Sequence, residues 1–396
     1  MAVRTGLDVW VSEGFQALKG KRVGAIVNPT SVDAQLRHLA DLLQQAEGVT
    51  LAALFGPEHG VRGEAQYMVA VDDEPSDART GVPVYSLYGH TFESLSPRPE
   101  RLRGLDALVF DIQDVGARYY TYVYTLALAM KAAARAGIPF YVLDRPNPIG
   151  GDLVEGNLVG DGFRSFVGLY ALPNRHGMTA GELARLFNEE ERMGAELHVV
   201  PCQGWARQMR WRDTGLHFVS PSPNMPTPDT ALVYPGMCLG EGTNVSEGRG
   251  TCRPFEQFGA PWLRPDAVAD ALNSEGLPGV RFRACSFTPT FDKFRGESCG
   301  GAFIHVTDGR AFRPLLTGIA VFRAARMLGG AGFQWRADAY EFVEDVPAFD
   351  LLCGTDTVRR GLESGAPLWA LVEGFDAASR AFEARRMPFL LYRQET

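Results

Sequence analysis

Four short apolar runs in the first 150 residues each break off into polar side chains. They are Val23 to Val27, Leu51 to Phe55, Ala107 to Phe110 and Pro139 to Leu143. Runs this short and uniformly apolar suit strands buried on both faces, the habit of a parallel sheet. Helical patterns follow the first and third, and strand–helix alternation requires parallel pairing through crossovers. The polar clusters are Asn28, then Glu58-His59, then Asp111, Gln113 and Asp114, then Asp144, Arg145 and Asn147. In a parallel sheet they all fall on one edge, beyond the carboxyl ends of the strands, where such sheets bind ligands. One shared cleft explains four corresponding clusters better than four unrelated loops do. The expected fold is α/β, a Rossmann-like doubly wound parallel sheet.

The second run leads into Gly56-Pro57-Glu58-His59-Gly60-Val61-Arg62-Gly63-Glu64. Pro57 cannot donate to a ladder and restricts its predecessor, so the strand stops there. Gly60 and Gly63 permit a sharp turn or close approach to a ligand. Ser31 is expected to cap a helix through Leu36, Leu39, Ala40 and Leu43. The helix through Tyr124, Leu128, Ala132 and Arg135 should close at Gly137. Val82 to Gly89 is a further strand candidate, with Pro83 suggesting a strand start or an edge. Thr179 and Glu182 form a capping box for a helix over Leu183 to Asn188, with His176 just before it as a cleft or loop residue. A strand is expected at Leu197 to Val200.

At 396 residues the chain exceeds one ordinary core, so two domains are expected, 1–228 and 229–396. The junction follows Ser220 to Asp229, whose four prolines exclude a helix or central strand. Asn224 in that crossover is placed to face the cleft. Beyond it the polar, Gly-rich stretch Glu241 to Thr251 offers a second wall carrying Glu241, Asn244, Glu247 and Arg249. Two β-like runs, Val280 to Phe287 and Ala302 to Val306, precede helical patterns over Phe312 to Leu328 and Leu368 to Arg386. This reads as a smaller α+β domain completing the cleft.

Several function classes recede. A net charge of −8 argues against general nucleic-acid binding. No apolar run approaches the roughly 20 residues of a membrane span, and the first residues lack a signal peptide's apolar core, which together suggest a cytoplasmic protein. The six cysteines lack metal-binding spacing, and Cys252 and Cys299 sit in polar loops. Neither G-x-G-x-x-G nor a phosphate loop is present, so no metal, nucleotide or other cofactor is expected.

The motifs themselves are distinctive. Asn28-Pro29-Thr30-Ser31, Phe55 to Gly60, Asp111 to Tyr122, Asp144 to Pro148, Pro221 to Thr227 and Glu241 to Gly250 together resemble the exo-β-N-acetylmuramidase (NamZ-like) family. The resemblance covers the chain from about residue 6 onward. It implies a Rossmann-like domain, a smaller C-terminal domain and release of N-acetylmuramic acid from the non-reducing end of peptidoglycan fragments. Such chemistry needs a carboxylic acid for the leaving oxygen and stabilisation of an oxocarbenium-like transition state. Glu58 is the first candidate for the acid, with His59 orienting it or binding sugar hydroxyls. A second carboxylate would come from Asp111, Asp114 or Glu247, or the substrate's acetamido group would take that role. The lactyl carboxylate calls for a guanidinium, from Arg62, Arg118 or Arg249. Tyr119, Tyr120 and Tyr122 could stack on the pyranose. Two rival classes on the same cleft are a nucleotide-dependent enzyme and a non-catalytic sugar-binding protein.

Overall fold

The computed structural model describes residues 2–63 and 72–393. Nine strands are assigned among them: β1 Arg22–Val27, β2 Thr50–Gly56, β3 Val84–Ser86, β4 Ala107–Asp111, β5 Phe140–Leu143, β6 Leu197–Val200, β7 Gln257–Ala260, β8 Val280–Phe287 and β9 Cys299–Val306. The first six form one sheet in the order β3-β2-β1-β4-β5-β6, every pair parallel. This is a doubly wound order whose direction of growth reverses between β1 and β4, the position where such sheets open a crevice. The last three strands form a smaller antiparallel sheet in the order β7-β9-β8.

Side-chain alternation explains how the large sheet is covered on both faces. Val23, Ala25, Val27, Val109, Tyr141 and Leu143 pack to one side with Leu7, Trp10, Leu39 and Leu43. Ile26, Leu108, Phe110, Phe140 and Val142 point to the other, against the helices Tyr122–Ala136 and Ala180–Glu190. This second cluster continues without a break through Met225, Tyr234 and Phe258 to the helix Pro314–Gly329. The small sheet is thus joined to the large one by shared apolar packing. Glycine makes one crossing possible. A Cβ at Gly236, in the helix Pro228–Met237, would lie 1.8 Å from the carbonyl oxygen of Pro314.

Most expected elements form, with local differences. Gly137 closes its helix at φ 68°, and Thr179 and Glu182 make the reciprocal capping box. Ser31 does not cap a helix. Its hydroxyl accepts from Asn28 N–H and donates to the Asp111 carbonyl, tying the β1 loop to β4. The helix starts later, at Leu39, with His38 Nδ1 accepting from Ala40 N–H. Thr227 caps the helix Pro228–Met237 directly after the proline-rich crossover. The pattern over Leu368 to Arg386 splits into Leu368–Leu371 and Phe375–Arg386. Strand β7, with two polar or glycine positions in four, has no readable apolar signal. Cys299 opens β9 and is buried, not looped out. Among the described residues no helix is long and apolar enough to cross a membrane.

Candidate active site

The loop that ends β2 builds the first wall of a cleft. Gly60 N–H donates back to the Pro57 carbonyl at 2.9 Å, folding the chain tightly over Glu58 and His59. His59 is held at φ 73°, in the left-handed region that side chains with a Cβ seldom occupy. Such strain persists only where surrounding structure enforces it, and it concentrates at functional sites. Glu58 is half-buried and lines the cleft, and Glu64 lies outside the described residues.

Tyrosines from the turn into the helix Tyr122–Ala136 line the next part. Tyr122 donates to the Pro221 carbonyl at 2.7 Å and, less closely, to the Glu58 carbonyl at 3.4 Å. That couples the motif loop to the proline-rich crossover. Tyr120 meets Tyr122 and Tyr234 edge to face, with centroids 5.0 and 5.7 Å apart. Asn224 faces the cleft from the crossover, and its buried Nδ2 has no hydrogen-bond partner among the described residues. A buried amide donor in that state is costly unless a ligand completes it.

The far wall comes from the C-terminal half: Glu241, Arg249, Phe255, Tyr340 and Glu341. Arg249 is set by two carboxylates, Nη2 to Glu241 at 2.6 Å and Nε to Glu247 at 3.0 Å. Its guanidinium lies over the Phe255 ring, 5.0 Å from the centroid. Lys293 holds the second oxygen of Glu247 at 2.8 Å, and Tyr340 donates to Glu241 at 2.6 Å. Glu247 is therefore a buried anchor for Arg249 and does not itself line the cleft. Glu341 was not anticipated. It is 5% exposed, and the Tyr88 hydroxyl lies 3.4 Å from both of its carboxylate oxygens. Burial pushes its pKa well above the ordinary carboxylate range, and the neighbouring charges of Glu58 and Glu241 push the same way. Its sequence signal was slight, an acid between two aromatics far from the motif loops.

The remaining predicted residues lie behind these walls. Asp111 is fully buried in a two-pronged pair with Arg145, at 2.5 and 2.9 Å. Asp114 accepts from Gly116 N–H at 2.7 Å and sits 3.3 Å from buried His176. Gln113 clamps the carbonyls of Asp114 and Pro146, and Asn28 folds back onto Thr30. Asp144 accepts from Thr179, Gly181 and Tyr392, and burial raises its pKa to about 6. Asn147 ties Met178 to Ile149, and Asn244 clamps Gly332 and Gln334. Of the three arginines, Arg62 pairs with Asp77 through two bonds of 3.0 Å. Arg118 is fully buried and spends its guanidinium on the carbonyls of Asn157, Leu172 and Leu352. Neither lines the cleft, whereas Arg249 does. The strand ends thus supply one interlocked polar scaffold, and the chemistry collects beside it at the β2 loop.

Among the described residues no group of three or more His, Cys, Asp or Glu side chains is placed to hold a metal. The cleft offers three carboxyls, a guanidinium, an amide donor and aromatic edges, a set suited to a carbohydrate bearing an anionic group.

Comparison with known proteins agrees along the whole chain. Residues 23–229 match the family model described as exo-β-N-acetylmuramidase NamZ, N-terminal, and residues 232–392 match its C-terminal counterpart. The chain is 47% identical over 392 residues to the peptidoglycan β-N-acetylmuramidase NamZ of Bacillus subtilis (strain 168), covering 98% of this chain and 91% of that protein. Two crystal structures of DUF1343 family proteins from Bacteroides fragilis NCTC 9343 share the fold. One superposes with a TM-score of 0.89 at 36% identity, covering 99% of each chain. The other gives 0.77 at 30% identity, covering both chains completely. The chain belongs to the NamZ exo-β-N-acetylmuramidase family.

Proposed function

We propose that this protein is a glycoside hydrolase of cell-wall turnover, releasing N-acetylmuramic acid from the non-reducing end of peptidoglycan fragments. The observation that carries the reading is that Glu58 and Arg249, from opposite halves of the chain, line one cleft. Hydrolysis needs a carboxyl beside the glycosidic bond, and Glu58 supplies one. The lactyl ether of muramic acid adds a carboxylate, which a guanidinium recognises through paired hydrogen bonds. Arg249, oriented by Glu241 and Glu247, is favoured because it lines the cleft and Arg62 and Arg118 do not. Asn224 would donate to the acetamido oxygen or a ring hydroxyl, and Tyr120 and Tyr122 would bear on the pyranose. In this reading residues 1–228 form the unit that carries Glu58, and residues 229–396 complete the cleft.

Release of 4-nitrophenol from its β-N-acetylmuramic acid glycoside, compared with the N-acetylglucosamine analogue, tests the reading. Hydrolysis of the muramic compound with marked preference is expected. Binding of muramic disaccharides without hydrolysis would leave a sugar-binding protein instead. We also propose a cytoplasmic setting, acting on fragments already inside the cell. Activity recovered from the medium, and not from the cell interior, would overturn that part.

A further inference from the structure

Glu341 lines the same cleft as Glu58, yet it comes from a turn nearly three hundred residues further along the chain. Tyr340 and Val343 close that turn with reciprocal backbone bonds of 2.9 and 3.0 Å. Both central residues are left-handed, Glu341 at φ 47° and Phe342 at φ 68°. Turns of this shape ordinarily take Asn and Gly, so an acid followed by an aromatic is disfavoured locally and must be enforced by its surroundings. The enforcement is visible on either side. Tyr340 is bonded to Glu241, while Phe342 packs edge-on against Tyr88 and Phe92. The carboxyl between them is buried, with the Tyr88 hydroxyl against it.

The groups that act on this carboxyl are Tyr88, Glu58, Glu241 and Arg336. Glu241 is already matched by Arg249 and Tyr340. Glu58 and Glu341 line that same cleft, and carboxyls that share one site disfavour each other's ionisation. Glu341 is the deeper of the two, 5% exposed beside a half-buried Glu58, and its burial favours the protonated form. Asn224, more than nine-tenths buried and with Nδ2 unpartnered on the same cleft, independently marks this space as one a ligand fills.

We propose that Glu341 is the general acid of the hydrolysis and Glu58 the second carboxyl of the reaction, on the other wall of the cleft. This inference rests on the glycosidase reading above and reverses the role that the strand-end position of Glu58 suggested. In the step, the Glu341 proton passes to the glycosidic oxygen as the C1–O bond breaks, and that bond's electron pair goes to the same oxygen. The aglycone leaves as an alcohol. Water supplies the hydroxyl that ends on C1, and the proton it gives up restores the acid.

The test uses substrates that differ in their need for protonation. General acid catalysis typically contributes 10²–10⁴-fold, so Glu341→Gln should lose about that much on the natural β-1,4 disaccharide. On the 4-nitrophenyl glycoside, whose leaving group departs without a proton, the loss should stay within about tenfold. The alkaline limb of the pH–rate profile should vanish with it. Equal losses on both substrates, or none on either, would overturn the assignment. Tyr88→Phe is the second variant, in case Glu341→Gln does not fold. It removes a donor that favours the ionised carboxylate, so the alkaline limb should move to higher pH. An unmoved limb would also overturn the proposal. Hydrolysis of the activated glycoside by the unaltered protein tests the glycosidase reading separately.

Discussion

Arg249 gives the most direct test of how the cleft selects its sugar. N-acetylmuramic acid differs from N-acetylglucosamine by the lactyl ether, so preference between them must come from contacts to that group. Arg249→Lys keeps a cation beside Glu241 and Glu247 but replaces a planar fork with a single point donor. The neighbouring acids remain partnered, Glu247 by Lys293 at 2.8 Å and Glu241 by Tyr340 at 2.6 Å, which limits collapse of the wall. A hydrogen bond to a charged group contributes roughly 1.5–3 kcal/mol, about 10- to 150-fold in rate or binding. Losing one bond of a bidentate pair should therefore cost the muramic glycoside about that factor in kcat/KM. Damage to the wall itself falls on both substrates and cancels in their ratio. The measurement is kcat/KM for the muramic and glucosamine 4-nitrophenyl glycosides, before and after substitution. A fall in the ratio of about tenfold or more is expected. An unchanged ratio, with both rates reduced alike, would refute the lactyl assignment.

Glu58→Gln should abolish turnover on both the natural disaccharide and the activated glycoside, by roughly 10²–10⁴-fold, with the unfolding transition retained. Near-normal turnover on either would remove Glu58 from the chemistry. Arg118→Met should act on stability alone, because it strips donors from three buried carbonyls. The Leu352 carbonyl keeps Asn174 at 3.4 Å, so two acceptors are orphaned, and at about 1 kcal/mol or more for each a loss of at least roughly 2 kcal/mol is expected in denaturant unfolding. A stable variant with altered sugar preference would contradict the structural role. Prolonged treatment with a strong chelator should leave activity intact, whereas loss restored by one added metal would show that the cleft acids are ligands.

Several features of this molecule were readable directly from its residues. The strands β1, β2, β4 and β5 appear as apolar runs because parallel strands are covered on both faces and tolerate little polarity. The loops behind them follow, since a parallel sheet puts every strand's carboxyl end on one edge. Glu58 and His59 could be placed beside a cleft on those grounds. The fate of each polar side chain was another matter. Asp111, Asp144, Arg118 and Arg62 have the composition of a site, yet each is consumed by a partner distant in sequence: Arg145, Tyr392, Leu352 and Asp77. A carboxylate or guanidinium reads identically whether it meets substrate or a buried counter-charge. Glu341 shows the converse. Nothing local distinguishes it, and its chemistry arises only when folding buries it against Tyr88 and faces it toward Glu58. Backbone pattern is a local property, written residue by residue. Protonation and partnership depend on long-range burial and charge, and those exist only once the two halves have packed together.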